Sequence, residues 1–311
     1  MSELQRILLG PQRPTINLGR VREVALPEGP MAVISAGWQE AEADIDEVYE
    51  QVQSPLLDLK LYQRAEQVFS EDPNLHKAYR QRQDRLQELQ QLYRMRLRQL
   101  MTAARRIRRA KAARDLVEAE LQHAVAQLRE LDQHHLGRIA TVYDEFADAL
   151  GPNSSGLLAD HIAEINTILE DCDSVLITGG NVLVLLNRLQ LFDLKAQLAK
   201  RHLVAWSAGA MVLSDLIVLY HDRTPLGRRD VEVLGPGMGI LHDKIFLPDA
   251  RKRLLEKDVS RISVLHERFS PADCITLNSG SFLRLYDNII QTAEQVGYLG
   301  ESGRVQGLSP G

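Results

Sequence analysis

The sequence predicts an α/β protein in which a mostly parallel sheet, flanked by helices, is interrupted by a long helical insertion. One observation is a set of short apolar runs that end in Gly, Ala or Ser, which is typical of strands buried on both faces. The other is the stretch from Asn74 to Leu136, which is rich in Gln, Arg, Leu, Ala and Glu and holds neither Gly nor Pro. We therefore expect a discontinuous α/β domain at 1–70 and 151–311, with a helical insertion at 71–150.

The N-terminal region has the pattern of a strand, a helix and a second strand. Met31–Gly37 is a nearly continuous apolar run, which predicts a central parallel strand. The acidic stretch Glu40–Gln53 has apolar residues at helical spacing, and Leu57–Tyr62 alternates as a half-exposed strand does. Strand, helix and strand at this spacing predict a βαβ unit and hence a parallel sheet.

The insertion reads as an amphipathic helix with coiled-coil character, because its apolar residues recur at spacings of three, four or seven. As one helix, 74–136 would be about 95 Å long at about 1.5 Å per residue. A helical hairpin that bends within 107–116, or self-association of the chain, would bury the apolar stripe more completely. Both alternatives stay open at this point, and we expect a homo-oligomer formed through the insertion.

A run of cations lies inside the insertion. Residues 94–114 contain nine Arg or Lys residues and no acid. One interpretation is a patch for nucleic acid or another polyanion. The other is a solvated helix face, paired with the acidic region Glu40–Glu50 of the same or another chain. No aromatic residue is interleaved with the cations, so base stacking has no support and the nucleic-acid interpretation is not favoured.

Composition restricts the remaining classes. The 311 residues have a formal net charge of −5, and no apolar run approaches the length of about 18 residues that a membrane helix needs. The N-terminus lacks the features of a secretory signal, so we expect a cytoplasmic protein without a membrane partner. Cys172 and Cys274 are the only cysteines, which excludes a multi-disulfide framework and a four-cysteine metal site. No metal and no cofactor are expected.

After a linker rich in Gly, Pro, Asn and Ser, the α/β pattern resumes. The elements expected are, in order, a helix at Leu157–Glu170, a strand at Ser174–Thr178, a helix at Val182–Lys200, a strand at Leu203–Trp206, a strand at Leu216–Tyr220 and a β-hairpin within 275–285.

The stretch around Ser207 has the pattern of a nucleophile elbow, a strained turn that lifts a Ser hydroxyl above the sheet. The apolar strand ends at Trp206, and Ala208–Ala210 are small enough for the next helix to pack close behind the turn. Ala205 stands where the usual Gly-x-Ser-x-Gly pattern has its first Gly. The alternative is an ordinary N-cap Ser that opens a small-residue helix.

Gly179, Gly180 and Asn181 follow the preceding strand, at the end where open α/β sheets bind ligands. Without side chains, the two glycines can bring backbone N–H groups close to a substrate carbonyl. Together with the N–H of Ala208 they would form an oxyanion hole. The alternative for the glycine pair is a tight connection between a strand and a helix.

These two motifs make the segment 173–225 similar to the peptidase E and cyanophycinase family of serine peptidases. The matching residues are Gly179-Gly180-Asn181, Leu185-Leu186 and Trp206-Ser207-Ala208-Gly209-Ala210. Weaker similarity reaches 31–62 and 235–255, and none covers the helical insertion. The resemblance implies the class I glutamine amidotransferase-like, flavodoxin-like fold and a small peptide or amide substrate.

The resemblance also implies roles for individual residues. Ser207 would be the nucleophile, and Gly180 and Ala208 would donate to the oxyanion. An acidic residue follows the family's nucleophile by fifteen positions, which here is Asp222. Asp222 is thus the candidate third catalytic member, with an ordinary turn residue as the alternative.

The catalytic histidine departs from the family pattern. The family's His follows a Gly-Leu-Gly-like turn, here Gly237–Gly239, and without gaps its position falls on Pro248 or Asp249. Neither side chain can act as an imidazole base. His242 lies nearby but earlier in the chain, and His221 adjoins Asp222. We take His242 as the candidate base, with His221 as the second candidate.

The sequence supports two alternative functions. The first is a serine hydrolase of the peptidase E type that cleaves a peptide or related amide through Ser207. The second is a catalytically impaired relative, whose helical insertion mediates partner binding, self-association or polyanion binding. A glutamine amidotransferase is less favoured, because those enzymes have Cys where this chain has Ser207.

Overall fold

The computed structural model describes residues 4–150, 156–220 and 230–309. The strands are β1 (Gln5–Leu9), β2 (Met31–Ile34), β3 (Leu56–Asp58), β4 (Ser174–Ile177), β5 (His202–Trp206), β6 (Leu216–Leu219), β7 (Glu232–Pro236), β8 (Lys244–Pro248), β9 (Asp273–Tyr286), β10 (Ile289–Leu299) and β11 (Val305–Gly307). The α-helices are α1 (Asp46–Val52), α2 (Leu61–Glu71), α3 (Pro73–Arg108), α4 (Arg114–Leu150), α5 (Gly156–Glu170), α6 (Val182–Leu191), α7 (Lys195–Ala199), α8 (Ala208–Leu213), α9 (Ala250–Arg253) and α10 (Val259–Phe269). Short 3₁₀ helices lie at Leu18–Glu23 and Ala36–Ala41.

The main sheet has the strand order β11-β10-β9-β1-β5-β4-β2-β3, with β8 also paired to β9. One part of the sheet is parallel and consists of β1, β5, β4, β2 and β3. The other part is joined to β1 by antiparallel pairing and consists of β9, β10 and β11, which are antiparallel to one another. The predicted α/β class with a mostly parallel sheet is confirmed. Strands β6 and β7 form a separate antiparallel pair.

Both faces of the parallel strands are buried, as their apolar runs predict. In β1, Leu8 belongs to a buried cluster with residues of α2, α5, α6 and α8. Its neighbours Ile7 and Leu9 belong to a second cluster, which α1 and the first 3₁₀ helix cover. Alternate residues of one strand therefore contact two different helical layers.

Two features of the sheet differ from the sequence prediction. Strand β1, at the centre of the sheet between β9 and β5, was not predicted. The hairpin predicted within 275–285 is wrong, because β9 is one continuous strand and the hairpin turn lies at Asp287–Asn288, between β9 and β10. The small polar residues 278–281 resemble a turn in sequence. In the structure they mark the point at which β9 changes its partner from β8 to β1.

The insertion is a helical hairpin and not one long helix. Helices α3 and α4 pack against each other and are separated by residues 109–113, inside the predicted bend. Its apolar face shares a buried cluster with α10 and with strands β6, β7 and β8. The domain boundaries at 70 and 151, and a homo-oligomer formed through the hairpin, stay predictions.

Part of the basic stretch is paired within the chain. Four of its cations form ion pairs with acids that follow the hairpin in sequence, and not with Glu40–Glu50. The pairs are Arg94 with Glu232, Arg105 with Asp230, Arg108 with Glu267 and Arg109 with Asp258. For these four cations, the partners predicted within Glu40–Glu50 are wrong, and the acids that pair with them belong to the segments around β7 and α10.

A buried ion pair joins the hairpin to α10. The side chain of Arg268 is fully buried, and its Nε and Nη2 donate to the Asp132 carboxylate of α4 at 2.7 and 2.6 Å. Nη2 also donates to the hydroxyl of Tyr93 on α3 at 2.7 Å, and Nη1 donates to the carbonyl of Val231. One guanidinium thus forms hydrogen bonds with groups of α3 and α4 and with the residue just before β7.

We expect Asp132→Ala to lower the free energy of unfolding by about 3–5 kcal/mol, because it leaves the Arg268 charge buried without its counter-ion. Urea unfolding measures the loss. The matched control is Glu145→Gln, which breaks the exposed 3.6 Å pair between Arg85 of α3 and Glu145 of α4. That change should cost less than about 1 kcal/mol. Equal losses in the two variants would contradict a special role for the buried pair.

His135 of α4 is buried next to this ion pair, at 3% exposure. Its ring stacks on Tyr93 with centroids 4.1 Å apart, and its Nε2 lies 2.8 Å from Oε1 of Gln90. Gln90 donates its own amide N–H to Glu232 and Val233, so its oxygen accepts from the imidazole. Burial lowers the pKa of His135 to about 4, and the ring is neutral in the folded protein near pH 7.

Lowering the pH from about 6.5 to 4 should therefore destabilise the protein through His135. In this window the unfolded chain binds a proton at His135 that the folded chain does not, and the loss reaches at most about 3 kcal/mol. We expect His135→Gln to flatten the pH dependence of the unfolding free energy between these values. His123→Gln, on an exposed position of α4, should keep the slope of the parent. The same slope in His135→Gln as in the parent would refute this prediction.

Within the three described segments, no helix combines the length and apolar character needed to cross a membrane.

Candidate functional site

Four neighbouring parallel strands end level with one another. The paired residues near their ends are Leu9 with Trp206, Ala205 with Ile177, and Ile177 with Ile34. The residues that follow these strands therefore lie at one edge of the sheet, where open α/β sheets bind ligands. They include Pro11, Gly37, Gly179 and Ser207.

Strand β8 reaches the same place from the opposite direction. It pairs with the first part of β9, where Pro248 lies beside Leu277, whereas β1 pairs with the second part, where Leu9 lies beside Phe282. Because β8 and β1 run in opposite senses along β9, their C-terminal ends meet at 278–281. Pro248 and the following Asp249 thus come to the edge that holds Ser207.

Ser207 has a strained backbone at the turn between β5 and α8. Its φ of 49° and ψ of −117° lie where non-glycine residues are rarely found. Such a conformation costs about 1–3 kcal/mol and persists only when the surroundings impose it. In the described part of the chain, its side chain caps no N–H of α8, so the N-cap alternative has no support.

Two glycines allow the backbone to close around Ser207. A Cβ on Gly209 would lie 2.4 Å from the carbonyl oxygen of Ile177, and a Cβ on Gly180 would lie 2.3 Å from that of Gly37. Gly180 also has a φ of +113°, which disfavours any other residue. The turns after β2, β4 and β5 consequently pack backbone to backbone.

Two cavities adjoin Ser207. The Trp cavity, of about 330 Å³, is walled by Trp38 and Trp206. The Pro248 cavity, of about 370 Å³, contains Ala208 and Asp249 in its lining. Pro11, Gly180 and Ser207 line both cavities, so Ser207 lies on the boundary between them.

Asn181 lines the Pro248 cavity but its amide oxygen is already used. Oδ1 accepts from the N–H groups of Leu183 and Val184 at 3.1 and 3.2 Å, which caps α6. Its backbone N–H donates to Gly37 at 2.8 Å. Asn181 therefore fixes the turn that holds Gly179 and Gly180.

The structure does not bring His242 to Ser207. His242 precedes the first residue of β8, whose last residue, Pro248, lines the cavity, and a five-residue strand separates such positions by about 13 Å. Its Nδ1 lies 2.9 Å from Oδ1 of Asp215, and its side chain is 63% exposed. No histidine of the described residues lines either cavity. Asp222 and the second candidate, His221, lie outside the described residues.

The sequence prediction missed the segment after β1, which supplies Pro11, Arg13, Ile16 and Leu18 to the Trp cavity. A signal for it exists in the apolar run Ile7-Leu8-Leu9 followed by Gly10-Pro11, since the other cavity-lining turns also follow an apolar run with a glycine. Tyr220 was also missed. It lines the Pro248 cavity and donates its hydroxyl to the carbonyl of Pro248.

We expect Gly180→Ala to destabilise the protein by about 2 kcal/mol or more, since the new Cβ meets a backbone oxygen in a left-handed conformation. Thermal unfolding measures the change. Gly137→Ala is the matched control, because Gly137 lies inside α4 with no atom within 4 Å of the new Cβ. It should stabilise by up to about 1 kcal/mol. A neutral Gly180→Ala would contradict the packing described above.

Among the described residues, no group of three or more His, Cys, Asp or Glu side chains is placed to hold a metal ion. Cys172 and Cys274 are both buried and free. The groups that line the two cavities at this edge of the sheet include the Ser207 hydroxyl and the charged side chains of Asp249 and Arg253.

Known proteins similar to this chain include solved peptidase structures and a peptidase family model. No curated protein matches the chain. A solved peptidase from an acI-B1 Actinobacterium is similar at 13% identity and a TM-score of 0.45, covering 99% of this chain and 95% of its own. A putative peptidase E protein from Listeria monocytogenes EGD-e is similar at 11% identity and a TM-score of 0.43, covering 99% of this chain and 100% of its own. The model of peptidase family S51 matches residues 132–291, just over half of the sequence. The chain belongs to peptidase family S51.

Proposed function

We propose that this chain is a serine hydrolase that cleaves a peptide or a related amide through Ser207 at a nucleophile elbow. The proposal rests on one observation, the strained φ of 49° at a serine that joins a buried strand to a helix. Such a turn presents the hydroxyl to the solvent side of the sheet, where a substrate carbonyl can reach it. Membership of a peptidase family supports a peptide as substrate.

The backbone N–H groups of Gly180 and Ala208 are the proposed oxyanion donors. Both residues line the Pro248 cavity together with Ser207. Gly180 has no side chain to obstruct its N–H, and Ala208 follows the nucleophile directly, as in other elbows. Gly179 and Asn181 support this arrangement by fixing the turn after β4.

The general base is proposed to be His221 in place of His242, with Asp222 retained as the third catalytic member. Two observations support His221. His242 lies at the far end of β8 from the cavity, and Tyr220, the residue before His221, lines the Pro248 cavity. A serine hydroxyl needs such a base, because almost none of it is ionised at neutral pH.

The cytoplasmic location stays a prediction.

Ser207→Ala should abolish labelling by a serine-directed fluorophosphonate and lower peptide hydrolysis by about 1,000-fold or more. Ser70→Ala, on the exposed side of α2, is the matched control and should label as the parent does. Circular dichroism and thermal unfolding check that each variant is folded.

In the same assay His242→Ala should retain labelling, whereas His221→Ala should reduce its rate by about 100-fold or more. Loss of labelling in His242→Ala and not in His221→Ala would reverse the assignment of the base. Folded parent protein that fails to label at Ser207 would contradict the hydrolase proposal.

A second candidate function is that of a catalytically impaired relative. The observation in its favour is that Pro248 and Asp249 line the cavity where the resemblance places the family's His. The helical hairpin would then act by binding a partner, a second copy of the chain or a polyanion. Leu92 and Met95 of α3 are 60% and 68% exposed, which favours self-association over polyanion binding. Absence of labelling, together with a dimer in sedimentation that Leu92→Gln dissociates, would support this function.

A further inference from the structure

The Trp cavity has the walls of a side-chain pocket. Its interior is formed by apolar residues, of which Leu18, Val48 and Trp206 are 3%, 4% and 6% exposed. Its volume lies in the range of about 300–1,000 Å³ that is usual for ligand sites. Ser207 is among its lining residues, so a side chain next to the bond under attack would lie within reach of it.

The side chain of Gln12, which lines this cavity, forms its hydrogen bonds within the protein. Oε1 of Gln12 accepts from the N–H groups of Asn17 and Leu18 at 3.0 and 2.8 Å. Its Nε2 donates to Gly10 and to Asn17 at 3.0 and 2.8 Å. Gln12 therefore holds the loop after β1 in shape and offers no group to a substrate.

Of the described residues that line the Trp cavity, the charged ones are Arg13 and Glu47, and they neutralise each other. Nη2 of Arg13 donates to both carboxylate oxygens of Glu47, at 2.6 and 2.5 Å. The two side chains are 63% and 52% exposed, which places them at the mouth. An acidic substrate side chain would have to displace Glu47 from Arg13, and a basic one would have to displace Arg13 from Glu47.

We propose that the Trp cavity selects peptides with an uncharged aromatic or aliphatic side chain beside the scissile bond, and that the Arg13–Glu47 pair excludes charged ones. An aromatic or aliphatic side chain would bury apolar surface against Leu18, Val48 and Trp206 and has no polar group of its own to leave unpaired. A carboxylate or ammonium group loses its hydration there and gains no free counter-charge. The inference deepens the proposed function and rests on it only for the cleavage step.

The chain contains its own reporter for this cavity. Its two tryptophans are Trp38 and Trp206, and both line the Trp cavity. Intrinsic tryptophan fluorescence, excited where phenylalanine does not absorb, therefore measures occupancy without any need for catalysis.

The experiment titrates the Ser207→Ala protein with three blocked dipeptides, N-acetyl-Phe-Gly amide, N-acetyl-Asp-Gly amide and N-acetyl-Lys-Gly amide. Ser207→Gly serves as a second inactive background, because Gly accepts the positive φ at this position. We expect the Phe peptide to shift tryptophan emission and to bind about tenfold more tightly than the other two. Absence of binding by the Phe peptide, or equal binding of all three, would overturn the inference.

Two variants test the role of the ion pair. Glu47→Gln frees Arg13 and should tighten binding of the Asp peptide by about tenfold, while binding of the Phe peptide stays within about twofold. Arg13→Gln should do the same for the Lys peptide. Glu23→Gln is the matched control, since it removes an exposed partner of Arg20 and does not line the cavity. Unchanged selectivity in both Glu47→Gln and Arg13→Gln would refute the exclusion of charge.

Hydrolysis by the parent protein separates this inference from the proposed function. Peptides that bind with the expected preference and are not cleaved would support the cavity and contradict the hydrolase. Peptides that are cleaved through Ser207 without preference for Phe would contradict the cavity and support the hydrolase.

Discussion

The site depends on backbone contacts that leave no room for a Cβ. Gly209 brings α8 against the carbonyl of Ile177, and Gly180 brings the turn after β4 against the turn after β2. These contacts over-determine the path of the chain at Ser207, which is why a serine there can keep a left-handed φ. The packing of three turns thus compensates the backbone strain at Ser207. The same packing fixes the position of the Ser207 hydroxyl.

The strained turn at Ser207 and the turn at the glycine pair were predictable from sequence because their constraints are local. A buried run followed by tiny residues specifies both the strand and the close packing after it. The apolar run Ile7–Leu9 followed by Gly10-Pro11 marks the segment that bears Arg13, but the Arg13–Glu47 pair was not predictable in this way. Its position depends on β1, whose partners in the sheet follow it by more than a hundred residues.

Partners that are distant in sequence also explain why the path of the insertion stayed open and why the hairpin predicted within β9 was wrong. Periodicity identified the apolar stripe of 74–136, but not the acids that pair with its cations, which come from α10 and from the start of β7. In β9, residues 278–281 have the composition of a turn, and only the meeting of β1 and β8 shows why the strand continues through them. Composition describes how a segment can bend, whereas its partners decide whether it does.

The central position of β1 has a consequence for the order in which the molecule can assemble. The segment that follows β1 contacts residues 264 positions later in the chain, as in the bond from Asn17 to Ser281. During synthesis, which proceeds from the N-terminus, β1 must wait for β5 and then for β9 before both its neighbours exist. The contacts between α3 and α4 of the helical hairpin are local and can form before that, whereas its contacts with β7 and α10 also depend on later residues. Pro11, which both cavities share, therefore follows a strand whose partner β9 is made after every residue that lines the two cavities.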